Sequence, residues 1–258
     1  MRLAKPTVDV GLVPHDVDAM TWFYADVLGL PPQPALSVGG TTVLRHAVGD
    51  ATLKMLCVEP PPPREDGGID AAIGYRLVTL IVSDLDDVLT RAEDAGVGEI
   101  ERDTFDAGPM QVPLAFLPDP DGNRLEVVGV PGAPRSLQVG LTVGDVDRTM
   151  EFFTQSLELE ADPPMTWNGI DRQSVQLGTT TVKFWQRGDD LPVRTGPMTQ
   201  RAGIRYLTVT VDDVDETAAR LRSRGVTMPL EPTDVGIAKV CIIADPDGNW
   251  IELAESRG

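Results

Sequence analysis

Histidine and cysteine are almost missing. The 258-residue chain has two of each: His15, His46, Cys57 and Cys241. Two cysteines build neither a disulfide framework nor a zinc knuckle. Two histidines leave little room for imidazole-based metal chemistry. Aromatic residues are only 5% of the chain, and basic residues are outnumbered, 22 Lys and Arg against 40 Asp and Glu, for a net charge of −18. That deficit argues against a clustered basic surface for nucleic acid and against binding an anionic membrane. No apolar run reaches the ~18 residues of a membrane-spanning helix. The opening MRLAKPTVDVGL lacks the apolar stretch of a secretory leader. The expectation is a cytoplasmic protein whose partner is a small molecule. Its hydrophobic content, 41%, is enough for a packed core and too high for disorder.

What the chain does have is repetition. Asp16-Val17-Asp18 recurs as Asp145-Val146-Asp147, 129 residues on. At the same offset Lys54 falls on Lys183, Asp84-Leu85-Asp86 on Asp213-Val214-Asp215, and Gly96-Val97 on Gly225-Val226. Asp119-Pro120-Asp121-Gly122-Asn123 returns as Asp245-Pro246-Asp247-Gly248-Asn249 at an offset of 126, so the second copy is three residues shorter before that point. Two homologous domains follow, 1–130 and 136–258, joined by a Pro/Gly linker at 131–135. Each half divides again, because Asp16 and Asp84 both stand between a strand-like and a helix-like run, 68 residues apart.

The local pattern repeats with these four units. Val8–Pro14 reads as a strand, and Asp16 as a helix N-cap whose carboxylate accepts an orphan N–H. Val17, Met20, Phe23, Tyr24 and Val27 follow at helical spacing, with Gly29 to end the helix. Strands are expected at 41–45 and 51–59. The second unit gives a strand at 76–82, cap Asp84, a helix over 85–95, and strands at 111–117 and 123–130. Asp-Pro-Asp-Gly-Asn between the last two is a tight-turn signal. The class is α+β, with units close to β-α-β-β-β.

Paired and duplicated βαβββ units, the run Asp-Val-Asp…Phe-Tyr…Val-Leu-Gly-Leu, and Asp-Pro-Asp-Gly-Asn-x-x-Glu in both halves together resemble the vicinal oxygen chelate superfamily. That group includes glyoxalase I, extradiol dioxygenases and bleomycin-binding proteins. The resemblance implies two cup-shaped barrels in tandem, each often holding a divalent metal. Carried over residue by residue, the metal seats on the first strands are Asp9, Leu77, Gln138 and Tyr206. Those on the last strands are Glu126 and Glu252, and those on the strand after the hairpin are Lys54 and Lys183. With each half closing its own cup, cup one would present Asp9, Lys54, Leu77 and Glu126. Cup two would present Gln138, Lys183, Tyr206 and Glu252.

No seat holds a histidine, so a 2-His-1-carboxylate iron centre is not expected. A lysine ammonium has three donors and no acceptor, and it repels a cation. The expectation is therefore no metal cofactor, with magnesium on Asp9 and Glu126 left open only if Lys54 points away. An ammonium beside a carboxylate can instead stabilise a substrate oxygen while the carboxylate moves a proton. The catalytic candidates are Lys183, Tyr206, Glu252, Lys54 and Glu126. Asp9, Gln138, His46, Trp167 and Trp185 are candidates for binding substrate. Two functions stay open. One is a metal-independent isomerase, epimerase or lyase acting on a small oxygenated metabolite. The other is a non-catalytic protein that sequesters a compound, with Lys54–Glu126 and Lys183–Glu252 as structural ion pairs. Trp167 and Trp185 could equally be core residues. His15 reads as a capping-turn residue, and both cysteines as small buried hydrophobes. A monomer and a homodimer are both compatible with four units.

Overall fold

The computed structural model describes residues 2–64, 67–107, 110–188 and 190–256. Unit one runs β1 (Asp9–Val13), α1 (Val17–Trp22, continued by a π-helical turn Phe23–Val27), β2 (Pro32–Val38), β3 (Thr41–Val48) and β4 (Ala51–Cys57). Unit two runs β5 (Gly74–Val82), α2 (Leu85–Asp94), β6 (Glu101–Ala107), β7 (Met110–Pro118) and β8 (Arg124–Gly129). Unit three runs β9 (Ser136–Thr142), α3 (Val146–Glu151, with a π-helical turn Phe152–Ser156), β10 (Glu160–Ala161), β11 (Met165–Trp167), β12 (Ile170–Leu177) and β13 (Thr180–Trp185). Unit four runs β14 (Gly203–Thr210), α4 (Val214–Ser223), β15 (Thr227–Asp234), β16 (Ala238–Ala244) and β17 (Trp250–Ser256). None of the described helices is long and apolar enough to cross a membrane.

Aspartate starts every one of these four α-helices. Asp16, Asp84, Asp145 and Asp213 each accept the backbone N–H three residues ahead. That satisfies one orphan donor and places a negative charge at the positive end of the helix dipole. Met20, Phe23, Tyr24 and Val27 are buried on one face of the first helix, and Leu85, Val88, Leu89 and Ala92 on one face of α2. They pack on the outer faces of the sheets, against residues such as Val10, Leu12, Val78 and Leu80. Strand alternation then leaves Asp9 and Thr79 on the opposite, inner face.

The sheets do not follow the halves of the sequence. One sheet has the order β15-β16-β17-β14-β1-β4-β3-β2, and the other β10-β12-β13-β9-β5-β8-β7-β6. Unit one therefore pairs with unit four through antiparallel β1 and β14, and unit two with unit three through β5 and β9. Two tandem cups do form, but the expectation that each half closes its own is corrected. The short linker is accommodated by this order. It leaves β8 at Gly129 and starts β9 at Ser136, stepping over the end of β5 to its other side. Each strand spacing is about 4.8 Å. Units one and four, at the two ends of the chain, are left to pair with each other. We call the unit one–four barrel the first cup and the unit two–three barrel the second.

The recurrent Asp-Pro-Asp-Gly-Asn turn binds the two units of each half together across this arrangement. Asp119 accepts from the backbone N–H groups of Asp121 and Asn123 and from Asn123 Nδ2, and Gly122 takes the φ of +88° that the turn requires. Asp121 then accepts from the His15 N–H at 2.6 Å, at the entry to α1. Asp245 and Asp247 repeat the device, with Gly144 N–H as the donor at 3.0 Å.

Candidate active site

Strand register brings four side chains together at the centre of each cup. In the second cup Thr79 on β5 lies opposite Gln138 on β9 and beside Glu126 on β8. Lys183 on β13 stands beside Gly140. Its Nζ donates to Glu126 Oε2 at 2.7 Å and to Thr79 Oγ1 at 2.8 Å, and the Thr79 hydroxyl donates to Glu126 Oε2 at 2.5 Å. In the first cup Thr208 lies opposite Asp9 and beside Glu252, and Lys54 stands beside Gly11. Lys54 Nζ donates to Thr208 Oγ1 at 2.9 Å, and Thr208 donates to Glu252 Oε1 at 2.8 Å. Lys54 is 3.6 Å from Glu252 and 3.7 Å from Asp9, whose Oδ1 also accepts from Lys5 Nζ and from the Thr52 N–H. Both cups thus hold a Lys–Thr–Glu triad. Lysine and threonine come from opposite halves of the chain, and threonine and glutamate from the same half.

Several sequence expectations change here. The ion pairs are Lys183–Glu126 and Lys54–Glu252, because the cups exchange halves; Lys54–Glu126 and Lys183–Glu252 do not form. For the same reason Tyr206 and Glu252 are not in the cup of Lys183, and Asp9 and Glu126 cannot share a magnesium ion. The first-strand seats of units two and four are Thr79 and Thr208, two residues beyond Leu77 and Tyr206. The path from seat to helix cap has seven steps in Asp9–Asp16 and five in Thr79–Asp84, so an offset measured between caps misplaces the strand. His46 is in neither cup. It is buried on the helix side of β3, with its ring 6.4 Å from that of Tyr24. Neither ring nitrogen has a hydrogen-bond partner, and burial lowers its pKa, so it is a neutral core residue rather than a binding one.

Two glycines make room for aromatic rings over these seats. A Cβ on Gly11 would lie 2.0 Å from the Tyr206 ring, and one on Gly140 would lie 2.3 Å from Trp185. Tyr206 is buried in the first cup. Burial, then the Glu252 and Asp9 charges, push its hydroxyl pKa well above the ordinary value, which keeps it protonated.

The second cup opens onto a cavity of about 510 Å³, lined among others by Leu77, Phe116, Glu126, Trp167, Arg172, Lys183 and Trp185. An adjoining smaller lobe of about 240 Å³ adds Gln138 and Phe105. Trp167 faces both spaces, stacked on Phe116 at 6.0 Å and edge-on to Phe105 at 6.3 Å. Lys183, Glu126, Gln138, Trp167 and Trp185 are therefore brought together around these two spaces. Lys183 and Glu126 are buried, with side chains 5% and 9% exposed. Burial lowers the Lys183 pKa, partly offset by Glu126. Burial pushes Glu126 up, but the Lys183 charge and hydrogen bond, Thr79 and Arg172 outweigh it and hold the carboxyl below its ordinary value.

Sequence reasoning passed over three residues. Thr79 and Thr208 had a signal, since Arg76-x-x-Thr79 returns as Arg205-x-x-Thr208 at the repeat offset. Arg172 had none, because the residue 129 places earlier is Val43.

The donor sets do not suit a divalent metal. The second cup offers one carboxylate, a hydroxyl and an amide, with an ammonium at its centre, and a metal site needs several anionic or neutral acceptors free of such a charge. Among the described residues no group of three or more His, Cys, Asp or Glu could hold a metal ion.

The model of the Glyoxalase/Bleomycin resistance protein/Dioxygenase superfamily matches residues 8–127 and again 135–253, and the chain belongs to that family. Its fold is similar to that of glyoxalase I from Zea mays, with TM-score 0.76 and 17% identity over 98% of this chain and 92% of that one. A putative dioxygenase from Bacillus subtilis is similar at TM-score 0.68 and 15% identity, over 100% and 86%. At these identities the likeness speaks for the fold alone. A probable lactoylglutathione lyase of Vibrio cholerae is 25% identical over 134 residues, 48% of this chain and 91% of that protein. A probable chloroplastic lactoylglutathione lyase of Arabidopsis thaliana is 26% identical over 189 residues, 69% of this chain. This chain spans about half (52%) of the Arabidopsis protein's length.

Proposed function

We propose that the protein is a glyoxalase-like enzyme that transfers a proton without a bound metal, and that the second cup is its active site. The observation behind this reading is the Lys183–Glu126–Thr79 triad facing an aromatic-walled cavity. A substrate carbonyl oxygen would take a hydrogen bond from Lys183, whose ammonium stabilises the negative charge that builds up on that oxygen. As Lys183 turns towards substrate, Glu126 loses part of the charge holding its pKa down. Burial then raises its basicity at the moment it has to remove the α-proton. On an α-hydroxy carbonyl substrate, return of that proton to the former carbonyl carbon, while the α-hydroxyl proton passes to the former carbonyl oxygen, completes the isomerisation. Thr79 keeps the carboxylate in place. The lyase names of the two curated relatives favour this chemistry class.

A single chain is the proposed working unit, since each cup is completed within it. A cytoplasmic setting suits its free cysteines. One observation favours the second reading, sequestration without turnover: Lys183 is already engaged by Glu126 and Thr79.

The test is deuterium uptake at the α-carbon of S-lactoylglutathione and of short 2-hydroxy and 2-keto acids in ²H₂O, followed by NMR. Chelator-treated wild type should exchange at least one of them, and Glu126→Gln should not. Exchange that disappears with chelator, or survives Glu126→Gln, would overturn the mechanism. Binding without exchange would support sequestration.

A further inference from the structure

The smaller lobe of the second cup has three ionisable side chains, Glu126, Arg172 and Lys183. Two are cationic and one anionic, a local positive surplus inside a chain of net charge −18. Lys183 is paired with Glu126. The other cations lining the larger cavity are paired as well, Arg102 with Glu93 at 2.6 Å and Arg124 with Glu101 at 2.7 Å. Arg172 is the surplus. It is half-buried, its Nε has no hydrogen-bond partner, and burial lowers its pKa. The two carboxylates close enough to act on its charge are Glu126 and Asp162. Glu126 Oε2 accepts from Thr79 and Lys183, and Asp162 accepts from Ser174 and Gln176. A guanidinium that lines the cavity without a hydrogen-bonded carboxylate of its own is a ready partner for an incoming anion. The planar guanidinium fork matches a carboxylate. Beside it Trp167 presents its ring to both lobes, and Trp185 faces the larger one.

We propose that the second cup binds a carboxylate borne on a flat apolar body, with Arg172 taking the carboxylate and Trp167 and Trp185 flanking the body. The inference rests on the second cup being the ligand site, as proposed above, but not on proton transfer there. The overall negative charge opposes an anion at long range, so selectivity has to come from contact with Arg172.

Calorimetric titration of the full-length protein with 2-naphthoate and with its neutral counterpart 2-naphthamide tests this. Wild type should bind the acid about 10-fold or more tighter than the amide. Arg172→Met should abolish the preference and leave amide binding unaltered within error. Arg172→Lys, which keeps the charge but not the fork, should show a weakened preference, and it stands in if the methionine variant does not fold. Equal affinities in wild type, no binding of either compound, or an undiminished preference in the variants would overturn the assignment. The two proposals fail separately. Acid preference without deuterium exchange keeps the carboxylate site and removes the catalysis. Exchange without acid preference does the reverse.

Discussion

Lys183 and Glu126 lie 57 residues apart, on opposite sides of the interdomain linker, and their charged atoms meet at 2.7 Å at the centre of the second cup. Both are nearly dry. Losing one partner would leave a buried charge without compensation. Lys183→Met is expected to cost ~3–5 kcal/mol, read by urea denaturation. The double variant Lys183→Met/Glu126→Leu should recover most of that loss. If the single variant were as stable as wild type, the pair would be carrying no electrostatic strain.

The triad of the first cup is looser. Lys54 is more exposed, and its carboxylates are at 3.6 and 3.7 Å. Lys54→Met should cost only about 1 kcal/mol, since solvent screens the pair. It should leave deuterium exchange and naphthoate binding unchanged. A loss of exchange in this variant would move the active site to the first cup.

Gly140 tests the packing around Lys183. A methyl group at this position would lie 2.3 Å from the Trp185 ring, which has to shift. Gly140→Ala should destabilise by ~1–3 kcal/mol and alter the near-ultraviolet circular dichroism of the tryptophans. Gly11→Ala should act alike through Tyr206. An unchanged spectrum and midpoint would show that the ring yields freely.

The paired turns set a pH dependence. Burial raises the pKa of Asp119 and Asp245 to about 6 in the folded state, against an ordinary value of 3.8. A raised carboxyl binds its proton more tightly when folded. It therefore stabilises below pH ~4, and that stabilisation is lost as pH rises through about 6, by up to about 3 kcal/mol per group. Denaturation midpoints should rise between pH 7.5 and 5.5, and Asp245→Asn should flatten the slope. A midpoint that falls over that interval would refute the assignment.

Much of the fold was legible because the signals were local. The four aspartate caps, the Gly-containing turns and the apolar helix faces all lie where their spacing puts them. Strands β2, β6 and β15 were missed. They are edge strands, with Pro32, Pro34, Pro229 and Pro232 or alternating charges where an apolar rhythm would be sought. For the site, residue types were readable and partnership was not. Lys54, Lys183, Glu126 and Glu252 stand on the right strands, but the repeat arithmetic is the same whichever units share a cup. The pairing is decided by which strand edges, β1 with β14 and β5 with β9, meet in space, which is a matter of geometry rather than pattern. Arg172 sits on β12, the counterpart of β3, but β3 has Val43 in its place, so the repeat could not point to it.

Crossed pairing also makes the protein its own dimer. Neither half owns a barrel. A fragment ending near residue 130 would leave the edges of β1 and β5 without the partners they have in the whole chain, β14 and β9. The linker raises the local concentration of the missing partner, and it does so for two unlike halves at once. Each half supplies two seats to each cup, so a substitution at a seat alters one cup and leaves the other as it was. That is how Asp9 can face Thr208 in one barrel while Gln138 faces Thr79 in the other, leaving one chain with two differently furnished rooms.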